Sequence, residues 1–255
     1  MKKNNSRISK KRRGIYILPN LFTSLNLFCG FYSLIMSIGG NFEAAAVTIL
    51  VAVIFDSLDG KIARATNTTS QFGVEYDSLA DLVSFGLAPS MMIYLWTLQG
   101  FGKTGWLAAF LYTICGALRL ARFNTMTGVI SSEFFQGLPI PAGAGMCAST
   151  VLFCQKYGFD FAYKSMVILV MLYVLGFLMV SSIKYNSFKK AELFTRIRFS
   201  VLVIIILIFV FVVERMHAAF FAISLCYVMS GPASYLAWFR KRKPAETQDM
   251  EAKNH

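Results

Sequence analysis

The sequence predicts an all-α membrane protein, a polytopic helical bundle of about eight transmembrane helices, and three observations carry that reading. Apolar residues make up 56% of the 255-residue chain and charged residues only 15%. Mean hydropathy is positive. The apolar residues fall in long blocks and not at the three-and-four spacing of a helix with one wet face. A span needs about 20 apolar residues, and the blocks lie near 18–39, 43–63, 76–98, 105–122, 141–156, 163–183, 199–213 and 217–239.

Each block has its own justification. The first follows a basic cytoplasmic tail over residues 1–13 and opens on Pro19-Asn20-Leu21-Phe22-Thr23. It is too long for a signal-peptide core and lacks a small-x-small cleavage site, so it is expected to stay as an uncleaved span. The second ends in the charged run Asp56-Ser57-Leu58-Asp59-Gly60-Lys61. A polar stretch, residues 66–73, suits a cytoplasmic turn into the third. The fourth ends at Arg119 and Arg122, and Pro139 and Pro141 shape the loop into the fifth. The fifth and seventh blocks are short, so a six-helix core with less regular additions fits the same pattern. The membrane domain is expected over 14–240 and a disordered cytoplasmic tail over 241–255. Cys29, Cys115, Cys147, Cys154 and Cys226 lie inside apolar blocks with no CxxC and no histidine beside them, and read as small buried hydrophobes.

A net charge of +12 would suit a nucleic-acid binder, but the placement of the cations argues against one. They gather in the first tail (Lys2, Lys3, Arg7, Lys10, Lys11, Arg12, Arg13) and the last (Arg240, Lys241, Arg242, Lys243, Lys253). Others end the second and fourth blocks (Lys61, Arg64, Arg119, Arg122) or follow the sixth (Lys184, Lys189, Lys190, Arg196, Arg198). In an eight-span layout these are 21 of 25 cations on one side, against Lys103, Lys156, Lys164 and Arg215 on the other. The positive-inside rule makes the rich side cytoplasmic and puts both termini there. The tails then rest on anionic headgroups of the bilayer. No basic patch is interleaved with base-stacking aromatics, so nucleic acid is not an expected partner.

The chemistry is concentrated in four carboxylates. Asp56 and Asp59 share a face of the second helix, with Gly60 and Ala63, and Asp77 and Asp81 share a face of the third. On insertion scales an aspartate at the centre of a membrane helix costs roughly 2.5 to 3.5 kcal/mol, so such groups mark a functional site by default. Four of them together repel unless cations intervene, and an all-oxygen set favours hard ions such as Mg2+ or Mn2+. Two such ions are a known means of stabilising in-line attack at phosphorus. Gly60 and Ala63 leave room for a ligand to approach the backbone. Arg64 can fork onto a phosphate, and Ser70 offers a hydroxyl at the mouth. Read singly, the small residues are a helix-packing stripe and Arg64 a snorkelling anchor.

Asp56-x2-Asp59-Gly60-x2-Ala63-Arg64-x8-Gly73-x3-Asp77-x3-Asp81 resembles, without a departure, the signature of the CDP-alcohol phosphatidyltransferases. These are six-helix-core membrane enzymes that move a phosphatidyl or similar group from a CDP-linked donor to an alcohol and release CMP. The resemblance implies that Asp56, Asp59, Asp77 and Asp81 bind two divalent metal ions and that Asp81 is also the general base. It implies that Gly60, Ala63, Arg64 and Ser70, with Asn20 and Thr23 on the first helix, hold the CDP-diacylglycerol donor. It further implies a homodimer.

The stretch 72–89, with Arg119-Leu120-Ala121-Arg122-Phe123-Asn124 and Gly137-Leu138-Pro139-Ile140-Pro141-Ala142, resembles the bacterial integral-membrane phosphatidylserine synthases. That makes L-serine the expected acceptor and the bacterial cytoplasmic membrane the expected location, with the site facing the cytoplasm. A zwitterionic acceptor wants a cation for its carboxylate and acceptors for its ammonium, which Arg119, Arg122, Asn124 and Glu75 supply. The alternatives are the same chemistry on glycerol 3-phosphate, inositol phosphate or choline, and a cation transporter. A transporter wants its carboxylates near the bilayer midplane, whereas these cling to the cytoplasmic end beside Lys61 and Arg64.

Overall fold

A computed structural model describes residues 4–66, 70–126, 134–158, 163–186 and 215–252. Seven helices carry them: α1 (Asn4–Ile38), α2 (Phe42–Ala65), α3 (Gln71–Phe101), α4 (Lys103–Met126), α5 (Ile140–Tyr157), α6 (Lys164–Val180) and α7 (Met216–Ala252). The expected block at 199–213, and the cations Lys189, Lys190, Arg196 and Arg198, lie outside the described residues. Helical backbone continues into both basic ends, so α1 and α7 run through much of what the sequence assigns to tails.

One short two-stranded ladder accompanies the helices of this all-α fold. Strand β1 (Phe134–Gln136) pairs antiparallel with β2 (Lys184–Asn186), Phe135 opposite Tyr185. The ladder ties the approach to α5 to the exit from α6. Gly137, at φ +78°, then turns the chain, with its N–H on the Ile183 carbonyl at 2.9 Å.

Among the described residues, four segments are long and apolar enough to cross a bilayer: Leu18–Ile38, Gln71–Phe101, Lys103–Thr125 and Met216–Ser234. α6 is apolar but has 17 residues. α2 is long enough, but Asp56, Asp59, Lys61 and Arg64 interrupt its apolar run. α5 is rich in small residues, and Gly143, Ala144, Cys147, Ala148 and Val151 are all buried. It reads as short and weakly apolar because it sits inside the bundle and meets protein on most sides. The other helices expose large apolar side chains outward, such as Phe28 and Phe31 on α1 and Val170, Val174 and Phe177 on α6. Exposed apolar surface of that extent on a helical bundle marks a lipid-facing exterior.

The tightest contacts are those that place the carboxylates. Gly39, Gly40 (φ +77°) and Asn41 reverse the chain between α1 and α2, and Asn41 caps α2 by accepting from the Ala44 N–H at 3.1 Å. The two helices then pack through small residues: Ala45, Ala46 and Ala52 are wholly buried, and Ser33 Oγ donates to the Ala45 carbonyl at 3.0 Å. α3 begins at Ser70, whose hydroxyl accepts from the Gly73 N–H at 3.0 Å.

Just after Asp81, α3 widens into a π-helical turn, Leu82–Leu87. The cause lies in Pro89, which has no N–H and whose ring crowds the carbonyl four residues back, that of Phe85. Tyr112 of α4, wholly buried, donates its hydroxyl to that carbonyl at 3.2 Å, and Thr113 Oγ1 donates to the next one, Gly86, at 3.4 Å. A backbone carbonyl freed in an apolar interior needs such a donor, because no water replaces the lost bond. Ser84, on the π turn, donates to the Asn26 carbonyl of α1 at 2.8 Å.

Gly30 makes that last approach possible. A Cβ there would meet Ser84 Oγ and stand 2.6 Å from Ser84 Cα. Gly30→Ala is therefore expected to destabilise the protein by about 1–3 kcal/mol through overpacking. A lowered melting temperature in detergent is the measurement, and an unchanged one would contradict the close contact.

Candidate active site

α2 and α3 stand with their carboxylate faces opposed. Asp56, Asp59 and Asp77 bring one carboxylate oxygen each to within 4.8 Å of one another. Asp81 lies one turn deeper on α3, buried, and is felt electrostatically by Asp56 and Asp77. The four expected aspartates are thus brought together by two helices. Bare carboxylates this close repel, and donors, protons or cations must offset that repulsion.

α1 supplies the polar wall. Thr23 Oγ1 donates to Asp59 Oδ2 at 3.0 Å, and it is also 3.2 Å from the Pro19 carbonyl. Asn26, wholly buried, donates from Nδ2 to Asp81 Oδ1 at 3.0 Å. Two buried acceptors have no protein donor among the described residues: Asp77 Oδ1 and Asn26 Oδ1. A buried polar atom left unpaired costs about 1–3 kcal/mol, which is why its usual explanation is an ion, a water or a ligand.

The remaining expected residues fall into two groups around the carboxylates. At the mouth, Gly73 is flanked by Ser70 Oγ and Asn20 Oδ1, 3.2 and 3.7 Å from where a Cβ would stand. Any larger residue at 73 would press on the cap. Gly60 lies beside the exposed Arg64, whose Nη1 is 3.4 Å from the corresponding point, and Ala63 is half-buried on the same face of α2. Arg64 also acts electrostatically on Asp59.

On the α4 side, Asn124 donates to Glu75 Oε2 at 3.2 Å and to Ser78 Oγ at 3.0 Å. This chain of bonds ties α4 to α3 on the helix face next to that of Asp77. Arg119 is half-buried, and the groups that act on it electrostatically are the Asp81 carboxylate and, from α7, the Tyr227 phenol. Its Nε is buried with no hydrogen-bond partner among the described residues. Arg122 is half-buried one turn further along α4.

Sequence reasoning missed Asn26, Ser78 and Tyr227. Asn26 had a usable signal, being an amide in an apolar block one turn after Thr23. Ser78 and Tyr227 had none, since each is a common residue whose position matters only once α4 is in place.

Known proteins resemble this chain over the same region. The family model for CDP-alcohol phosphatidyltransferase matches residues 16–181. The CDP-diacylglycerol--serine O-phosphatidyltransferase of Helicobacter pylori (strain ATCC 700392 / 26695) is 39% identical over 213 residues, covering 84% of this chain and 90% of that protein. The protein of the same name from Bacillus subtilis (strain 168) is 37% identical over 173 residues, 68% of this chain and 92% of its own. The archaetidylserine synthase of Methanothermobacter thermautotrophicus is 39% identical over 178 residues, 69% of this chain and 72% of its own.

Proposed function

The chain belongs to the CDP-alcohol phosphatidyltransferase family, and from that premise we propose that it transfers the phosphatidyl group of CDP-diacylglycerol to L-serine, releasing CMP. The observation that carries the reading is the carboxylate cluster at the family's spacing, in a chain 39% identical over 84% of its length to a relative named for that reaction. Serine is common to the relatives' names, while the lipid half differs in the archaetidylserine synthase. The acceptor is therefore the better supported half of the assignment.

The donor set fits hard divalent cations. Asp56, Asp59, Asp77 and Asp81 would hold two of them, Mg2+ or Mn2+, and the unpaired, buried Asp77 Oδ1 is an atom that such an ion would satisfy. When bound, the ions offset the charge that develops on the phosphoryl oxygens and the leaving group.

The residues of the chain do the rest. Asn20, Thr23, Gly60, Ala63, Arg64 and Ser70 line the mouth and hold the CDP end of the donor, whose acyl chains stay in the lipid. Arg119 pairs with the serine carboxylate, and Glu75, Arg122 and Asn124 orient the acceptor from the α4 side. Asp81 takes the proton of the serine hydroxyl as that oxygen bonds to the phosphorus bearing diacylglycerol and the bond to CMP breaks. No covalent intermediate on the enzyme is needed.

The setting belongs to the same reading: an integral protein of the bacterial cytoplasmic membrane by resemblance to its relatives, with site and termini on the cytoplasmic side by the cation pattern of the sequence. An eight-span layout and a homodimer belong to the same reading.

CMP release from CDP-diacylglycerol, measured with a divalent ion and a panel of alcohols, is expected to require serine. Equal release with glycerol 3-phosphate, inositol phosphate or choline would overturn the acceptor. Asp81→Asn should lower turnover by roughly 10²- to 10⁴-fold, the usual contribution of a positioned base, with donor binding kept. Near-normal turnover would take the base role from Asp81. Arg119→Ala should raise the serine KM by about 10- to 100-fold, as expected for a lost charge-assisted bond. An unchanged KM would separate Arg119 from the acceptor.

A further inference from the structure

We propose that Asn26 is the positioning residue for Asp81: its amide fixes one carboxylate oxygen so that the other meets the reacting hydroxyl. The inference rests on the reading of Asp81 as the base and adds a residue outside the aspartate signature.

A carboxylate in a roomy cavity can turn about its last torsion and present either oxygen. The bond from Asn26 Nδ2 to Asp81 Oδ1, 3.0 Å long and buried, removes that freedom and leaves Oδ2. An amide suits the task because its N–H group donates to an ionised carboxylate and neither gains nor loses a proton itself. A second donor of the site, Thr23, treats Asp59 in the same way, at its Oδ2. The two residues lie three apart on α1, on one face.

Asn26 is itself held from behind. Its carbonyl accepts from Ser84 Oγ at 2.8 Å, and Gly30, one turn on, lets α1 lie against Ser84. Asp81 and Ser84 sit three residues apart on α3 and engage the same asparagine, one through its side chain and one through its backbone. A shift of α1 against α3 would break both bonds together, so the base keeps its aim only while the π turn keeps its shape.

A packing role alone does not explain the residue. Asn26 is 0% exposed, yet its Oδ1 has no partner among the described residues. An apolar side chain of the same shape would avoid that unpaired acceptor. What Asn contributes and leucine cannot is the N–H on Asp81.

The test compares Asn26→Leu, Asn26→Asp and Asp81→Asn in the full-length protein, purified in detergent with CDP-diacylglycerol, serine and a divalent ion. Four quantities are read: kcat, the serine KM, donor affinity and melting temperature. Leucine keeps the branching and the number of side-chain heavy atoms and loses the donor; aspartate keeps the shape and turns an acceptor toward Asp81. Both are expected to lower kcat about 100-fold, the effect of small misplacements at a reacting centre, with KM and donor affinity within about 2-fold. A kcat within about 2-fold of the parent in Asn26→Leu, with Asp81→Asn inactive, would overturn the positioning role and leave the base assignment standing. Losses that track the melting temperature would reduce Asn26 to a structural residue and overturn it as well. Turnover by Asp81→Asn would remove the base and this proposal together.

Discussion

Everything in the bundle answers to one constraint: carboxylates held close together, mostly out of water, must be balanced by donors or cations. The structure meets it with short hydrogen bonds from α1, since Thr23 and Asn26 each donate to one aspartate. It also leaves acceptor atoms unpaired where the bonds stop, at Asp77 and Asn26. The first helix is therefore part of the site's chemistry as well as its scaffold. The close approach at Gly30, the tight turn at Gly40 and the alanine face of α2 all serve to bring that helix near enough.

The π turn in α3 follows from the same constraint seen through the backbone. Pro89 frees carbonyls that an apolar interior cannot hydrate, and α4 supplies hydroxyls to satisfy them. Because the turn follows Asp81 directly, the residues beyond it are re-phased relative to an ideal helix, and Ser84 comes to face α1. Proline, tyrosine and serine thus form a chain of cause that ends at the Asn26 backbone. None of the three is a group that the reaction itself uses.

Much of the site was legible beforehand because helix periodicity converts spacing into a shared face. Asp56 and Asp59 face Asp77 across two helices, as that rule leads one to expect, while Ser70, expected as a hydroxyl at the mouth, caps α3 through the Gly73 N–H. What stayed hidden depends on contacts between helices distant in sequence. Thr23 reads as a packing hydroxyl until Asp59, 36 residues later, comes within 3.0 Å. The π turn is invisible to any pattern of apolar residues, since proline in an apolar run signals only a kink. The β1–β2 ladder involves three residues on each side, too few for alternation to register. α5 looked marginal as a span because burial inside protein, not lipid, selected its small residues.

The tight turn between α1 and α2 has a bearing on how the chain enters the bilayer. α2 carries Asp56 and Asp59, and each would cost roughly 2.5 to 3.5 kcal/mol if it entered alone near the membrane centre. Bound to α1 through the Gly39-Gly40-Asn41 reversal, it can enter as half of a hairpin whose other half is apolar and already offers Thr23 to Asp59. The reversal that sets the geometry of the site thus also joins the two helices into one hairpin, with a protein donor already beside the carboxylates at its open end.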